Sequence, residues 1–300
     1  MNLAGMKILV TGITGTLGEK AAVRFLKEAA EVRALIRDSK YMNKFRELGI
    51  TPVLGELTNR PSLEEALKNI DIIIHCAAYL GNELEKAVNS NVTGVDLLAS
   101  VSMKAGVRKF IHISTLSVYG QPEEGFFDET TPLVQKHEEV YVETKAESER
   151  ILSKYMKEGL DVVILRPGAI CSEENSYWGD RQVYRMLNTD TVDWVHPDDM
   201  VPWIHADNLA EMIHLVLAKG VSNEIYNAVD GNFPESDFRV KLINTLGKNL
   251  KIPGRKKECA LFSNSKIKGL GYRPVKTFQE TVTNLDKLAV SQLETLDINH

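Results

Sequence analysis

The chain has little of several things, and each shortage removes a class of protein. Its three cysteines, Cys76, Cys171 and Cys259, lie far apart and form no CxxC pair, which argues against a disulfide framework and a cysteine zinc cluster. His205 and Asp207 have no third ligand at suitable local spacing, so no metal is expected. Basic residues are not in excess: 36 Lys and Arg against 41 Asp and Glu leave a formal net charge of -5, which disfavours a nucleic-acid surface. No apolar run reaches the ~18 to 20 residues of a membrane span, and no basic stretch followed by a long apolar one opens the chain. The expectation is a cytoplasmic protein with a small-molecule substrate, no nucleic-acid or membrane partner, and room for a homodimer.

What is present begins at Lys7. Apolar Ile8 to Val10 is followed by Thr11, by Gly12, Gly15 and Gly18, and by a helical pattern from Glu19 to Glu28. Strand, glycine turn and helix in that order form a pyrophosphate-binding loop, because the turn admits a close approach and the helix N-terminus meets the negative charge. A P-loop would need Gly-Lys-Ser/Thr, whereas the chain has Gly18-Glu19-Lys20. The GxxGxxG spacing resembles the TGxxGxxG loop of extended and atypical short-chain dehydrogenase/reductases, the epimerase, dehydratase and hydroxysteroid dehydrogenase group. That resemblance implies a Rossmann-type doubly wound α/β sheet with a smaller C-terminal substrate lobe. It also implies cofactor contacts from Gly12, Thr14, Gly15, Thr16, Leu17 and Gly18.

The second strand, Val32 to Ile36, ends at Arg37. An acidic residue near this point suits the ribose hydroxyls of NAD, and an arginine suits the 2′-phosphate of NADP. Arg37 therefore predicts NADP(H), with Arg33 or Lys40 as lesser contacts. Asp38, one position on, leaves NAD open. Thr51 to Leu54 reads as the third strand, and Gly55-Glu56-Leu57 resembles the family's Gly-Asp-Leu, which makes Glu56 and Leu57 adenine contacts by resemblance. Asp71 to His75 is a fourth strand. It ends in Cys76-Ala77-Ala78, where small side chains let a ligand come close; by resemblance Ala77 and Ala78 lie beside the nicotinamide ribose. His75 reads as a packed structural histidine and Cys76 as buried filler. Asn91, in an NVxG segment like the family's, either orients the active-site lysine or makes a simple helix-to-sheet hydrogen bond.

Lys109 to Ser114 and the following Thr115-Leu116-Ser117-Val118-Tyr119-Gly120 resemble the family's hydroxyl-bearing SS(S/T)xxVYG stretch. This places the catalytic hydroxyl on Thr115, with Ser117 as the competing assignment. Tyr141 and Lys145 form a YxxxK pair on one helix face. An ammonium beside a phenol favours its ionised form, so Tyr141 is expected to exchange a proton with a substrate oxygen that Thr115 also bonds, while Lys145 holds the ribose. Arg166-Pro167-Gly168 resembles the turn beside the nicotinamide, and Pro167 joins the cofactor contacts.

The segment from Ala169 to Thr191 looks irregular and serves as a candidate substrate wall. His205 to Ala210 resembles the family's HVD(D/N)xA element, with Asp207 and Asn208 as helix caps. The expected organisation is a nucleotide-binding domain over residues 1–168 with returning segments near 200–230. A substrate lobe covers 169–199 and 232–288, and a flexible tail 289–300. The chemistry expected first is an NADP(H)-dependent oxidoreductase acting on a carbonyl or secondary alcohol. A nucleotide-sugar epimerase or dehydratase with retained NAD(P) is the alternative, supported by Arg181, Arg185 and Arg239 as diphosphate partners. A nonenzymatic NADP(H)-binding redox sensor is a third reading.

Overall fold

The computed structural model describes residues 3–298. Seven parallel strands form its central sheet in the order Ile225–Ala228, Val162–Pro167, Lys109–Ile113, Ile72–His75, Lys7–Thr11, Glu31–Ile36, Thr51–Leu54. Chain order runs outward in both directions from the gap between Lys7–Thr11 and Ile72–His75. This is the topological switch point of a Rossmann-type sheet, where a crevice opens beyond the strands' carboxyl ends.

The strands read as continuous apolar runs because both faces of the sheet are covered. Successive side chains point to opposite faces, so each strand feeds two cores. Ile8, Val10, Ile72, Ile74, Ile111 and Val163 join Phe25, Ile213 and Val216 on one side. Leu9, Ile73, Phe110 and Ile164 join Leu63, Leu98 and Leu152 on the other. Phe110 is fully buried, and its truncation to Ala would cost roughly 3–5 kcal/mol.

A third core, containing Val183, Met186, Trp203, Phe238, Leu242 and Leu285, lies among the helices Asp180–Leu187, Arg239–Thr245 and Phe278–Ile298. A three-stranded sheet, Gly231–Pro234, Met200–His205 and Ala169–Cys171, accompanies it. The stretch expected to be irregular thus holds a short strand and a helix. The final helix, Phe278–Ile298, runs through most of the stretch expected as a flexible tail, with Ala289 fully buried on it; residues 299 and 300 lie outside the described residues.

The cap of the helix Ala206–Lys219 also differs from expectation. His205 Nδ1 accepts from Asp207 N, leaving Asp207 to pair with Lys20 of the first helix at 2.8 Å. Asn208 is buried and joins separate segments: its Nδ2 donates to Asp230 Oδ2 and Lys276 O, and its Oδ1 accepts from the backbone of Val275 and Lys276. A buried amide with several partners serves as a cross-link, and His205 supplies the cap instead.

Candidate active site

The glycine loop sits at the switch point. Gly12 has φ +70°, and a Cβ there would stand 2.5 Å from Ala77 N, at the end of the neighbouring strand. A Cβ on Gly18 would stand 2.3 Å from Gly12 O, so this glycine lets the helix Thr16–Leu26 close onto the turn. Gly15 is different: a Cβ would meet only Gly12 O at 3.4 Å, and the residue is exposed beside Thr14. Gly15 is the N-cap and offers no side chain, so the helix N-terminus, flanked by Thr16 and Leu17, keeps its first backbone N–H groups uncapped by a side chain. Two cramped glycines beneath an open one, ahead of an uncapped helix, fit a dinucleotide pyrophosphate. Thr16 Oγ1 donates to Asn175 O at 2.5 Å, joining the loop to the wall of the smaller lobe.

Across the sheet ends, the helix Val140–Lys157 presents Tyr141 and Lys145. Thr115 is extended, nearly buried, and accepts from Ser117 N while its hydroxyl donates to Ser117 Oγ, each at 3.2 Å. Of the two candidate hydroxyls, Thr115 is the one that interacts with the Tyr141 phenol. Burial pushes the Tyr141 phenol up to about 12, and the bond to Thr115 opposes the rise. The free site therefore holds the phenol protonated at neutral pH, contrary to the expected pull from the ammonium. The reason lies in where Lys145 points. Its Nζ donates to Ile113 O at 2.7 Å and lies 3.3 Å from His112 Nε2. Desolvation lowers Lys145 to about 8, partly countered by Glu149 and Cys76.

Glu149 was not singled out by sequence, although it lies one helical turn from Lys145. Its carboxylate receives Arg166 and Ser114 Oγ, while Arg166 Nη1 donates to Tyr119 Oη, whose hydroxyl donates to Asn227 Oδ1. Arg166 and the VYG tyrosine are thus fastened into the floor of the site. Asn91 makes backbone and helix bonds: Oδ1 accepts from Tyr79 N, and Nδ2 donates to Tyr79 O and Thr144 Oγ1. It ties the end of the strand Ile72–His75 to the Tyr141 helix. Burial, then the Lys145 charge, lowers His75 to about 3, and burial raises Cys76 to about 12, so neither is poised as a base or nucleophile at neutral pH.

Ala77 and Ala78 are half-buried beside Gly12, and Pro167 is buried at its strand end, next to a Gly168 whose Cβ would strike Pro202 O. Leu57 is half-buried against Gly94, while Glu56 and Arg37 are exposed at the outer strands. The three arginines of the smaller lobe are not a free cluster. Arg239 is ion-paired with buried Glu235 and lies over Trp178, Arg185 covers Trp194, and Arg181 donates to Asn175 Oδ1.

A dinucleotide loop beside a Tyr–Lys–Thr group, joined by one parallel sheet, defines a nicotinamide-dependent enzyme. Residues 8–228 match the NAD dependent epimerase/dehydratase family, and the chain belongs to that family. A ketoreductase of Stigmatella aurantiaca, acting on a 4-hydroxy-2-methyl-3-oxo-4-farnesyl-3,4-dihydroquinoline-1-oxide, is 28% identical over 81% of this chain and 74% of its own. The dTDP-glucose 4,6-dehydratase of Streptomyces antibioticus is 26% identical over 92% of this chain and 90% of its own. In shape, the dTDP-glucose 4,6-dehydratase of Streptomyces venezuelae, solved with NAD bound, superimposes with a TM-score of 0.83. It is 24% identical and covers 97% of this chain and 98% of that one.

These comparisons correct the expected NADP(H)-dependent oxidoreductase and its cofactor. The family is NAD dependent, the similar solved structures named with a dinucleotide carry NAD, and the near-full-length relative is a sugar-nucleotide enzyme. The physical reason lies beside Arg37. Asp38, about 20 residues beyond the last loop glycine, is where an NAD-type site carries its acid. Its carboxylate accepts from Lys40 N at 3.0 Å and pairs with Lys40 Nζ at 2.8 Å, and that partner holds its pKa low. A carboxylate at this position suits the ribose hydroxyls of NAD. Among the described residues no helix is long and apolar enough to cross a membrane, and no group of three His, Cys, Asp or Glu side chains is placed to hold a metal ion.

Proposed function

We propose that the chain is an NAD-dependent nucleotide-sugar epimerase. Gly12, Gly15, Gly18 and the uncapped helix hold the pyrophosphate, Ala77, Ala78 and Pro167 border the nicotinamide end, and Lys145 bonds the ribose. Bound NAD would supply the hydride acceptor and a positive ring that opposes the rise burial gives the Tyr141 phenol. Tyr141 would take the proton of a sugar hydroxyl, and Thr115 would steady the oxygen. With the cofactor serving in turn as hydride acceptor and donor, Tyr141 would give the proton back to the inverted alcohol, and no net oxidation would result.

The observation that carries the choice of epimerase over dehydratase is the turn after Thr115. Loss of water from a keto sugar needs a base for the carbon-bound proton and an acid for the departing hydroxyl. The turn supplies buried Leu116 and the hydroxyl of Ser117 there, with no carboxyl group. Incubation of the NAD-loaded protein with UDP- and dTDP-glucose, followed by NMR of the sugar ring, is expected to yield an epimer with no accumulation of NADH. A 4-keto-6-deoxy product would replace this reading by the dehydratase one, and absence of any product or NAD binding would overturn it.

A further inference from the structure

Beneath Lys145 lie two buried imidazoles that the hydride-transfer chemistry leaves unused. His112 is wholly buried on the strand Lys109–Ile113, and its Nε2 stands 3.3 Å from Lys145 Nζ and 3.2 Å from Ser148 Oγ. His75, its register partner on the next strand, stacks on it with ring centres 5.3 Å apart and planes 20° from parallel. Thr11 Oγ1, at the base of the glycine loop, shares a 2.7 Å hydrogen bond with His75 Nδ1. The stack fixes the plane of His112, and so the direction of Nε2.

An ammonium only donates, so to bond Lys145 the ring of His112 has to offer the lone pair of Nε2 and carry its own proton on Nδ1. His112 Nδ1 is buried and has no hydrogen-bond partner. Buried polar groups are ordinarily paired, and an imidazole placed for packing alone would satisfy its N–H. The Nε2–H tautomer would satisfy that N–H on Ser148 Oγ, whose own proton goes to Lys145 O at 2.7 Å, and would leave the lysine without this acceptor; the Nδ1–H tautomer leaves the ring N–H unpaired and makes the 3.3 Å contact a hydrogen bond from Lys145. Lys145 has three N–H groups; Ile113 O takes one at 2.7 Å and His112 the second, so one remains for the cofactor ribose.

We propose that His112 is a positioning residue for Lys145: as an Nδ1–H tautomer it fixes the ammonium so that the remaining N–H meets the ribose. The inference rests on the reading of Lys145 as the ribose-binding lysine. The other titratable groups that feel the ammonium are His75 and Cys76 at the end of the neighbouring strand and Glu149 on the lysine's own helix. Burial and the Lys145 charge hold His112 well below its ordinary value, which keeps the acceptor available through the neutral range.

Two measurements test this. Nitrogen-15 NMR of the unaltered, histidine-labelled protein at neutral pH is expected to show His112 protonated at Nδ1 only. Protonation at Nε2 would overturn the proposal and needs no variant that must fold. NAD affinity, titrated by calorimetry across pH for the wild type, His112→Met and His112→Gln, gives the second. The wild type is expected to lose affinity as pH rises through about 8, where Lys145 deprotonates. His112→Met is expected to bind about tenfold more weakly at neutral pH and to begin that loss at lower pH, because the charged lysine has lost an acceptor. His112→Gln, whose amide oxygen reaches a similar place, is expected to recover most of both effects. A His112→Met curve that superimposes on the wild type would overturn the positioning role alone, whereas a wild type that binds no NAD would overturn the functional reading beneath it.

Discussion

Arg166 and Glu149 form an ion pair that is almost completely buried under the catalytic turn, with Arg166 Nη2 at 2.7 Å from Glu149 Oε2 and Nε at 3.1 Å from Oε1. Ser114 Oγ and Tyr119 Oη complete the polar contacts, so the charges are satisfied where water does not reach. Such a pair contributes little net stability compared with apolar residues of the same volume, but loss of one member leaves the other charge stranded.

Glu149→Leu is therefore expected to cost about 3–5 kcal/mol, and the double change Glu149→Leu with Arg166→Met to recover much of it. Urea unfolding of the single and double variants checks this. Additive losses would mean that the two side chains do not act as a pair.

The loop glycines are expected to separate folding from binding. Gly18→Ala puts a methyl group 2.3 Å from Gly12 O, a backbone atom, so the helix has to move and the protein is expected to lose several kcal/mol of stability and its NAD affinity together. Gly15→Ala meets nothing closer than 3.4 Å and is expected to unfold as the wild type does, while binding NAD more weakly because the methyl group intrudes on the pyrophosphate. Thermal unfolding in parallel with NAD titration distinguishes them; equal melting temperatures for the two variants would contradict the assignment.

Acid stability has a sign set by the buried imidazoles. His75 is lowered to about 3 from an ordinary 6.5, chiefly by burial. Between those values the unfolded chain binds a proton that the folded chain refuses, so stability rises with pH there and is lost as pH falls from about 6.5 towards about 3. His112 acts in the same direction. His75→Phe, which stacks in the same place, is expected to flatten the slope of unfolding free energy against pH by about 1.4 kcal/mol per pH unit, one proton's worth. Urea midpoints from neutral to acid pH measure it, and an unchanged slope would show that His75 titrates normally.

The nucleotide half was legible because its signals are local. A strand, three glycines and a helix occupy one short stretch, and the Tyr141–Lys145 pair is set by one helical turn. The network under them depends on sheet order, which brings Thr11, His75 and His112 side by side from distant segments. Nothing in the spacing of those three residues announces that. Arg37 misled for a related reason: the residue type at a strand end was visible, but not that Asp38 next to it is fixed by Lys40. In the smaller lobe, the sequence shows the charges of Arg181, Arg185 and Arg239 but not that Arg239 is paired with Glu235, Arg185 stacked on Trp194 and Arg181 bonded to Asn175.

Cofactor choice is where the correction can be measured. An Asp38 carboxylate bonded to the ribose hydroxyls is expected to contribute roughly 1.5–3 kcal/mol, a factor of about ten to a hundred in affinity. The wild type is expected to prefer NADH over NADPH by a factor in that range. Asp38→Ala is expected to weaken NADH binding about tenfold and, with Arg37 exposed beside the vacated position, to strengthen NADPH binding. Arg37→Ala is expected to leave NADH binding unchanged and to lower the residual affinity for NADPH. Calorimetric titration of both reduced cofactors against the three proteins checks each step. If Asp38→Ala left the ratio of the two affinities unaltered, the carboxylate would serve only as the cap of the short helix at Ser39–Tyr41, and the source of NAD preference would have to be sought in the backbone at Gly12–Gly15.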